Sequence, residues 1–399
     1  MTGRPGSGFF GAVIGPLQAF LRLEAASGIV LMLAAAIALV WANVHPASYR
    51  TAIDAPLTIG AGGTAIVFTV GTLINDGLMT LFFFLVGMEI KRELAVGELN
   101  SIAKASLPAV AALGGMLLPA AIFLAFTWGR PEQRGWGIPM ATDIAFCVGV
   151  LTLLKDRVPR ALVVFITALA IFDDIGGILV IAFFYGSRLN VPWLLGAGGL
   201  CLCLFGLNRA AIRNGFAYGA SGAALWFALH QGGIHPTIAG VALGLSIPVL
   251  PRRRVQAPLH KFEHLLHPYV AFFIMPLFAL ANSGVSLRSG LSALDAPVTL
   301  GAAVGLFAGK QLGIFALTVL AVKLRLAPMP GNASLAKLFG VSIVAGIGFT
   351  VALFIAALAY ADSPALLDQA KTGILIGSLA AGLLGFVVLR GASSPPGRG

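Results

Sequence analysis

Long apolar runs, separated by short segments holding most of the Lys, Arg, Pro and Gly residues, make up nearly the whole chain. The runs fall at about 25–42, 71–90, 105–127, 138–154, 161–184, 190–208, 214–229, 236–250, 268–286, 297–322, 337–360 and 370–390. A helix needs about 20 residues to cross the hydrocarbon core of a bilayer, and only helices and closed barrels satisfy every backbone polar group there. The pattern therefore predicts an all-α polytopic membrane protein with about twelve transmembrane helices. Two runs look interrupted: 138–154 holds Pro139, Thr142 and Asp143, and 337–360 holds Gly346 and Gly348. Interrupted helices in corresponding positions of two halves point to a transporter site near the midplane. The longest loop, 45–63, is polar, Gly-rich and compatible with a small hairpin, a subunit contact or a plain loop.

Composition agrees. Of 399 residues 58% are hydrophobic and only 10% charged, with a mean hydropathy of +0.94, against roughly 25% charged residues in a soluble globular protein. That excludes an ordinary soluble enzyme and leaves no room for a sizeable soluble domain. Residues 1–390 read as one transmembrane domain, and the tail 391–399 (GASSPPGRG) as disordered and cytoplasmic. Fifty glycines suit close helix packing and broken helices.

The net charge of +11 invites a nucleic-acid reading, which the placement of the charges removes. Nineteen basic residues fall in the two tails and in alternate loops, six in the other loops, and Lys310 inside a span. Cytoplasmic loops retain Lys and Arg, so the excess is a topology signal that places both termini in the cytoplasm. Cys147, Cys201 and Cys203 all lie in apolar runs and form neither a disulfide framework nor a zinc pattern.

Charge at membrane depth costs about 2.5–3.5 kcal/mol per group on insertion scales, so each instance needs a reason. Asp173 and Asp174 sit mid-span in ALAIFDDIGGILV, Asp143 in the interrupted run and Lys310 at the middle of 297–322. Consecutive residues point about 100° apart on a helix. One aspartate is thus able to face an ion while the other meets the Lys310 ammonium. Oxygen ligands such as carboxylates, the Thr142 hydroxyl and backbone carbonyls suit a hard cation. Asp143 and Lys310 have the signs needed to neutralise helix ends at the interruptions. A structural salt bridge explains one buried pair, but three acids and a lysine exceed what packing requires.

Seven segments, in order along nearly the whole chain, carry a resemblance to a known family. INDGLMTLFFFLVGMEIKREL (74–94), GWGIPMATDIAFCVGVL (135–151), ALAIFDDIGGILVIAFFY (168–185), GIHPTIAGV (233–241), FEHLLHPYVAFFIMPLFALANSGVSL (262–287), GKQLGI (309–314) and GIGFTVALFIA (346–356) resemble the signature segments of the NhaA sodium/proton antiporters of bacteria. That family is itself one of the examples in which inverted-topology repeats and discontinuous helices were described, so the resemblance implies that fold, with breaks at 138–154 and 337–360. It also implies electrogenic export of cytoplasmic Na+ or Li+ against about two external protons, in sodium and pH homeostasis. No cofactor is implied; the setting is the bacterial inner membrane, and the assembly a homodimer. Asp174 becomes the principal cation ligand and proton carrier, with Asp173 and Thr142 beside it, and either Asp173 or Lys310 carrying a second proton. Asp143 and Lys310 compensate the helix breaks. Glu89, Arg92, Glu263, His264 and His235, with Asp76, Glu93 and His267, resemble a cytoplasmic cluster that responds to pH, histidine being the side chain that changes charge between pH 5 and 8.

Two other readings compete. A sodium-coupled symporter of a small organic anion needs a polar substrate pocket beyond the aspartates. An intramembrane aspartyl protease needs its two acids on facing helices, whereas Asp173 and Asp174 are consecutive.

Overall fold

The computed structural model describes residues 8–61, 64–154, 157–186, 188–249, 258–286 and 293–392. In chain order the helices are α1 (Gly8–Val44), α2 (Pro46–Ile53), α3 (Val70–Ala95), α4 (Ile102–Thr127), α5 (Ile144–Leu153), α6 (Arg160–Phe184), α7 (Val191–Arg209), α8 (Gly215–Gly232), α9 (Thr237–Ser246), α10 (Pro258–Asn282), α11 (Pro297–Lys323), α12 (Leu335–Val344), α13 (Phe349–Ala359) and α14 (Pro364–Gly391). A 3-10 segment, Pro131–Met140, precedes α5. Among the described residues eight helices are long and apolar enough to cross a membrane, and ten spans result when each of two bent pairs counts once. The predicted runs 214–229 and 236–250 are helical too, as the 18-residue α8 and the 10-residue α9.

Both predicted interruptions are present. Pro131–Met140 and α5 meet at a bend of 42°, and α12 and α13 at 45°. The loop after α1 is a short helix, α2, and a hairpin of β1 (Pro56–Ala61) and β2 (Thr64–Thr69), antiparallel with Pro56 opposite Thr69 and Leu57 opposite Phe68. Of the predicted tail, residues 393–399 lie outside the described residues, and α14 runs through Gly391. Lys371, which the sequence pattern places in an outer loop, instead lies inside α14 and is buried. The helix starts at Pro364, because proline is well placed in a first turn, and carries the lysine inward.

Two sets of helices flank the breaks. In one, α4 packs along α11, and α14 along α11 and α12; in the other, α3 packs along α9, and α7 along α8. The α4–α11 contact has no room for side chains at its centre: a Cβ on Gly313 would lie 2.0 Å from the Gly114 carbonyl oxygen, and one on Gly114 would lie 2.1 Å from that of Gly313. Close backbone approach of this kind is the main source of helix association where lipid removes the hydrophobic drive. Lys310 lies on α11, the partner of α4, and α1 lies against both α5 and α10.

Candidate functional site

At the first break the chain is extended through Ala141 and Asp143, and Asp143 is the N-cap of α5. Its Oδ1 accepts from Phe146 N–H at 3.2 Å. The same carboxylate reaches the second broken helix, where Oδ2 accepts from Thr350 N–H at 3.1 Å and from the Thr350 hydroxyl. Asp143 N–H donates to Ile347 O at 2.7 Å, tying the two breaks together. One carboxylate thus satisfies donors at the N-terminal ends of α5 and α13, where backbone N–H groups lack helical partners and the dipole is positive.

The C-terminal ends face basic or hydroxyl groups. Lys310 Nζ donates to Met140 O, at the end of the 3-10 segment, and to Asp173 Oδ2 at 2.6 Å. The Thr142 hydroxyl lies 2.5 Å from Asp173 Oδ2 and 3.1 Å from Ala345 O, sharing its one proton between them. The Cys147 thiol donates to Val344 O at 3.1 Å. Lys310 comes directly after a π-helical turn, Gly305–Gly309. Such a turn adds one residue to the helical circuit and re-aims the residues beyond it, which is why π turns cluster at functional sites. The side chains of Lys310 and Asp173 are fully buried, and Asp173 Oδ1 has no hydrogen-bond donor among the described residues.

Asp174 points elsewhere. It lines a cavity of about 90 Å³ together with Thr142, Asp143 and Thr350 on one side and Glu89, Arg92 and His267 on the other. One buried water needs about 10–15 Å³ by the same measure, so the space admits a cation with part of its water shell. The neighbouring aspartates therefore divide: Asp173 meets the lysine and Asp174 meets the cavity. Beyond Glu89, Arg92 pairs with Glu263 and, at 3.0 Å, with Glu93. His260 approaches Glu263 at 3.8 Å.

The structure does not gather all the residues read as one mouth. His264 is exposed and outside the cavity lining, which His267 joins instead. His235 pairs with Asp76 at 3.6 Å, is 2.8 Å from the Thr237 hydroxyl, and sets its ring edge-on to Phe354. Asp76 and Glu89 lie toward opposite halves of α3, about 20 Å apart at 1.5 Å per residue. Hence the Asp76–His235 pair belongs to the far side of the bundle from Arg92 and Glu263, which corrects the reading of a single cluster. Sequence reasoning misses Thr350, the hydroxyl partner of Asp143. A Thr in an apolar run costs little, and its only signal is its place two residues after the Gly346–Gly348 break.

Crossed broken helices whose ends are neutralised by buried charges, beside a carboxylate on a cavity wall, define a polytopic secondary transporter of ions. The chain matches the family model for the Na+/H+ antiporter 1 family over residues 18–389 and belongs to that family. It is 57% identical to the Na(+)/H(+) antiporter NhaA of Anaeromyxobacter sp. (strain Fw109-5), covering 97% of this chain and 93% of the relative. It is 51% identical to the Na(+)/H(+) antiporter NhaA 1 of Myxococcus xanthus, covering 97% and 95%. Its fold is similar to the structure of the sodium proton antiporter MjNhaP1 from Methanocaldococcus jannaschii at pH 8, with a TM-score of 0.54 over 96% of this chain and 97% of that one, at 16% identity.

Proposed function

We infer that the protein is a secondary Na+/H+ antiporter which exports cytoplasmic Na+ or Li+ in exchange for about two external protons, from the bacterial inner membrane, with both termini cytoplasmic and as a homodimer. The observation that carries this reading is Asp174, a buried carboxylate on the wall of a small cavity and beside the crossed helix ends. A carboxylate there binds either a proton or a cation, so each expels the other. Asp173 Oδ1 and the Thr142 hydroxyl complete an oxygen ligand set for a hard cation. A cation that draws Asp173 toward itself weakens the hold on the Lys310 ammonium, and the second proton leaves from that pair. Two protons against one monovalent cation move one net charge per cycle, worth about 2.3 kcal/mol per 100 mV, so the membrane potential drives export. Arg92, Glu93 and Glu263, with Glu89 and His267 on the cavity wall, are the groups proposed to make access respond to cytoplasmic pH.

The cavity argues against the symporter. An organic ligand occupies a pocket of about 300–1,000 Å³, several times the volume beside Asp174. In proteoliposomes holding an imposed pH gradient, addition of Na+ or Li+ should dissipate the gradient, and K+ should not. Asp174→Asn should abolish the response; normal exchange in that variant, or no response of the wild type between pH 6 and 9, would sink the reading.

A further inference from the structure

The 3-10 segment Pro131–Met140 ends on the carbonyl that receives the Lys310 ammonium, and the chain continues directly into Thr142 and Asp143. The position of this segment therefore sets the position of all three groups. It is a rod of about 20 Å at 2.0 Å per residue, and its beginning is held by two phenols. Tyr360 OH donates to Glu132 O at 2.6 Å, and Tyr185 OH donates to Arg134 O at 2.8 Å. Tyr185 is the C-cap of α6, the helix of Asp173 and Asp174; Tyr360 is the C-cap of α13, the helix of Thr350. The phenols come this close because the rod lacks side chains where they pass. A Cβ on Gly135 would lie 2.2 Å from the Tyr360 hydroxyl oxygen, and one on Gly137 would lie 3.0 Å from that of Tyr185. Trp136 adds an edge-to-face contact with Phe184, ring centres 5.1 Å apart.

We propose that Tyr185 and Tyr360 are positioning residues for the cation site: their hydroxyls lock the rod Pro131–Met140 to the helix of the two aspartates and to the second broken helix, keeping the Met140 carbonyl on Lys310 and the Thr142 hydroxyl on Asp173. The assignment rests on the cation site inferred above. Its physical consequence is specific. A Lys310 ammonium that loses the Met140 carbonyl has Asp173 as its remaining partner and competes harder with sodium for that carboxylate. Apparent sodium affinity then falls while the turnover of a loaded carrier is kept.

Phenylalanine removes the hydroxyl and keeps the ring, so Tyr185→Phe, Tyr360→Phe and the double variant test the hydrogen bonds without opening the packing. A hydrogen bond of typical net worth corresponds to about a fivefold change in an equilibrium. In proteoliposomes the double variant should raise the sodium KM by roughly five- to tenfold with the maximal rate within twofold of wild type, each single variant falling between. Hydrogen–deuterium exchange over 131–140 should be at least tenfold faster in the double variant, a readout independent of which ion is carried. A sodium KM within twofold of wild type, or a fall in maximal rate with KM unchanged, overturns the assignment, as does unaltered exchange over 131–140. Faster exchange there together with no sodium response in the wild type would keep the clamp and refute the transport reading instead. If the double variant is not recovered folded, Tyr360→Phe alone faces the same two criteria.

Discussion

The Lys310–Asp173 pair gives the sharpest energetic prediction. Both side chains are fully buried and 2.6 Å apart, with the ammonium also on Met140 O and the carboxylate also on the Thr142 hydroxyl. Breaking a buried pair from one side typically costs about 3–5 kcal/mol, because it leaves an uncompensated charge, whereas replacing both members by uncharged residues is often close to neutral. Lys310→Met removes the ammonium at nearly constant volume and leaves Asp173 with a single neutral donor, so its cost should sit near the upper figure. Asp173→Asn leaves an ammonium that still has the Met140 carbonyl, and should cost less. The double variant should recover most of the loss, giving a coupling energy that exceeds the Lys310→Met cost of about 5 kcal/mol, large against the usual additivity error of about 0.5. Thermal unfolding of the purified protein in one detergent, followed by intrinsic fluorescence, ranks the four proteins. The expected order of midpoints is wild type, double variant, Asp173→Asn, Lys310→Met. A double variant as unstable as the sum of the singles would refute the reasoning, since it would mean that the two groups do not compensate each other.

The geometry makes two further outcomes testable. Asp143→Asn replaces a carboxylate that accepts from Phe146 N–H and from both donors of Thr350. Either rotamer then sets the amide NH2 against one of those donors, costing about 2–4 kcal/mol from a lost charge-assisted bond and two uncompensated helix ends; a lowered melting midpoint with impaired sodium exchange is expected, and an unchanged midpoint would remove Asp143 from the capping role. Tyr49 donates to Leu280 O and Ala281 O, and burial pushes its phenol up to about 12. A group whose folded value is raised contributes stability that is intact below the unfolded value near 10 and is lost as pH climbs toward 12; wild type should lose stability over that window in alkaline melts, and Tyr49→Phe should lose markedly less there.

Much of this arrangement is legible in the sequence because lipid makes charge conspicuous. Asp143, Asp173, Asp174 and Lys310 stand out in runs where each would cost a few kcal/mol, and the breaks announce themselves through Pro139 and through Gly346 and Gly348. The features that escape do so for physical reasons. Thr350, Tyr185 and Tyr360 are cheap to place in or beside apolar helices, and their roles depend on partners from remote segments, the Asp143 carboxylate for the first and main-chain carbonyls for the other two. Which groups come within reach depends on element boundaries whose exact positions periodicity does not give. Lys371 has the look of a loop charge because a helix start at Pro364 is not marked by hydropathy. The mouth residues merge in the sequence because residues of one helix need not share one place: Asp76 and Glu89 are both on α3 and yet about 20 Å apart along it.

The balance of charge around the crossing distinguishes Asp174 from Asp143, which lines the same cavity, and from the Lys310–Asp173 pair. A helix end carries about half an elementary charge. Asp143 is met by two N-terminal ends and is thereby neutralised, and Lys310 neutralises Asp173. The C-terminal ends of Pro131–Met140 and α12 remain: Met140 O shares the Lys310 ammonium with Asp173, and Ala345 O and Val344 O meet only the neutral donors of Thr142 and Cys147; together the two ends amount to at most about one negative charge. Asp174 adds a second. With Asp174 protonated and the Lys310–Asp173 pair intact the centre carries about one negative charge; with both protons gone and one sodium ion bound it carries about two. That difference is what the proposed exchange of two protons for one sodium requires, since the carrier must cross in both loaded forms and the membrane potential acts only on the charge by which they differ. A centre neutral with Asp174 ionised would bind sodium poorly, and one with Asp143 or Lys310 missing would hold the wrong charge in both forms.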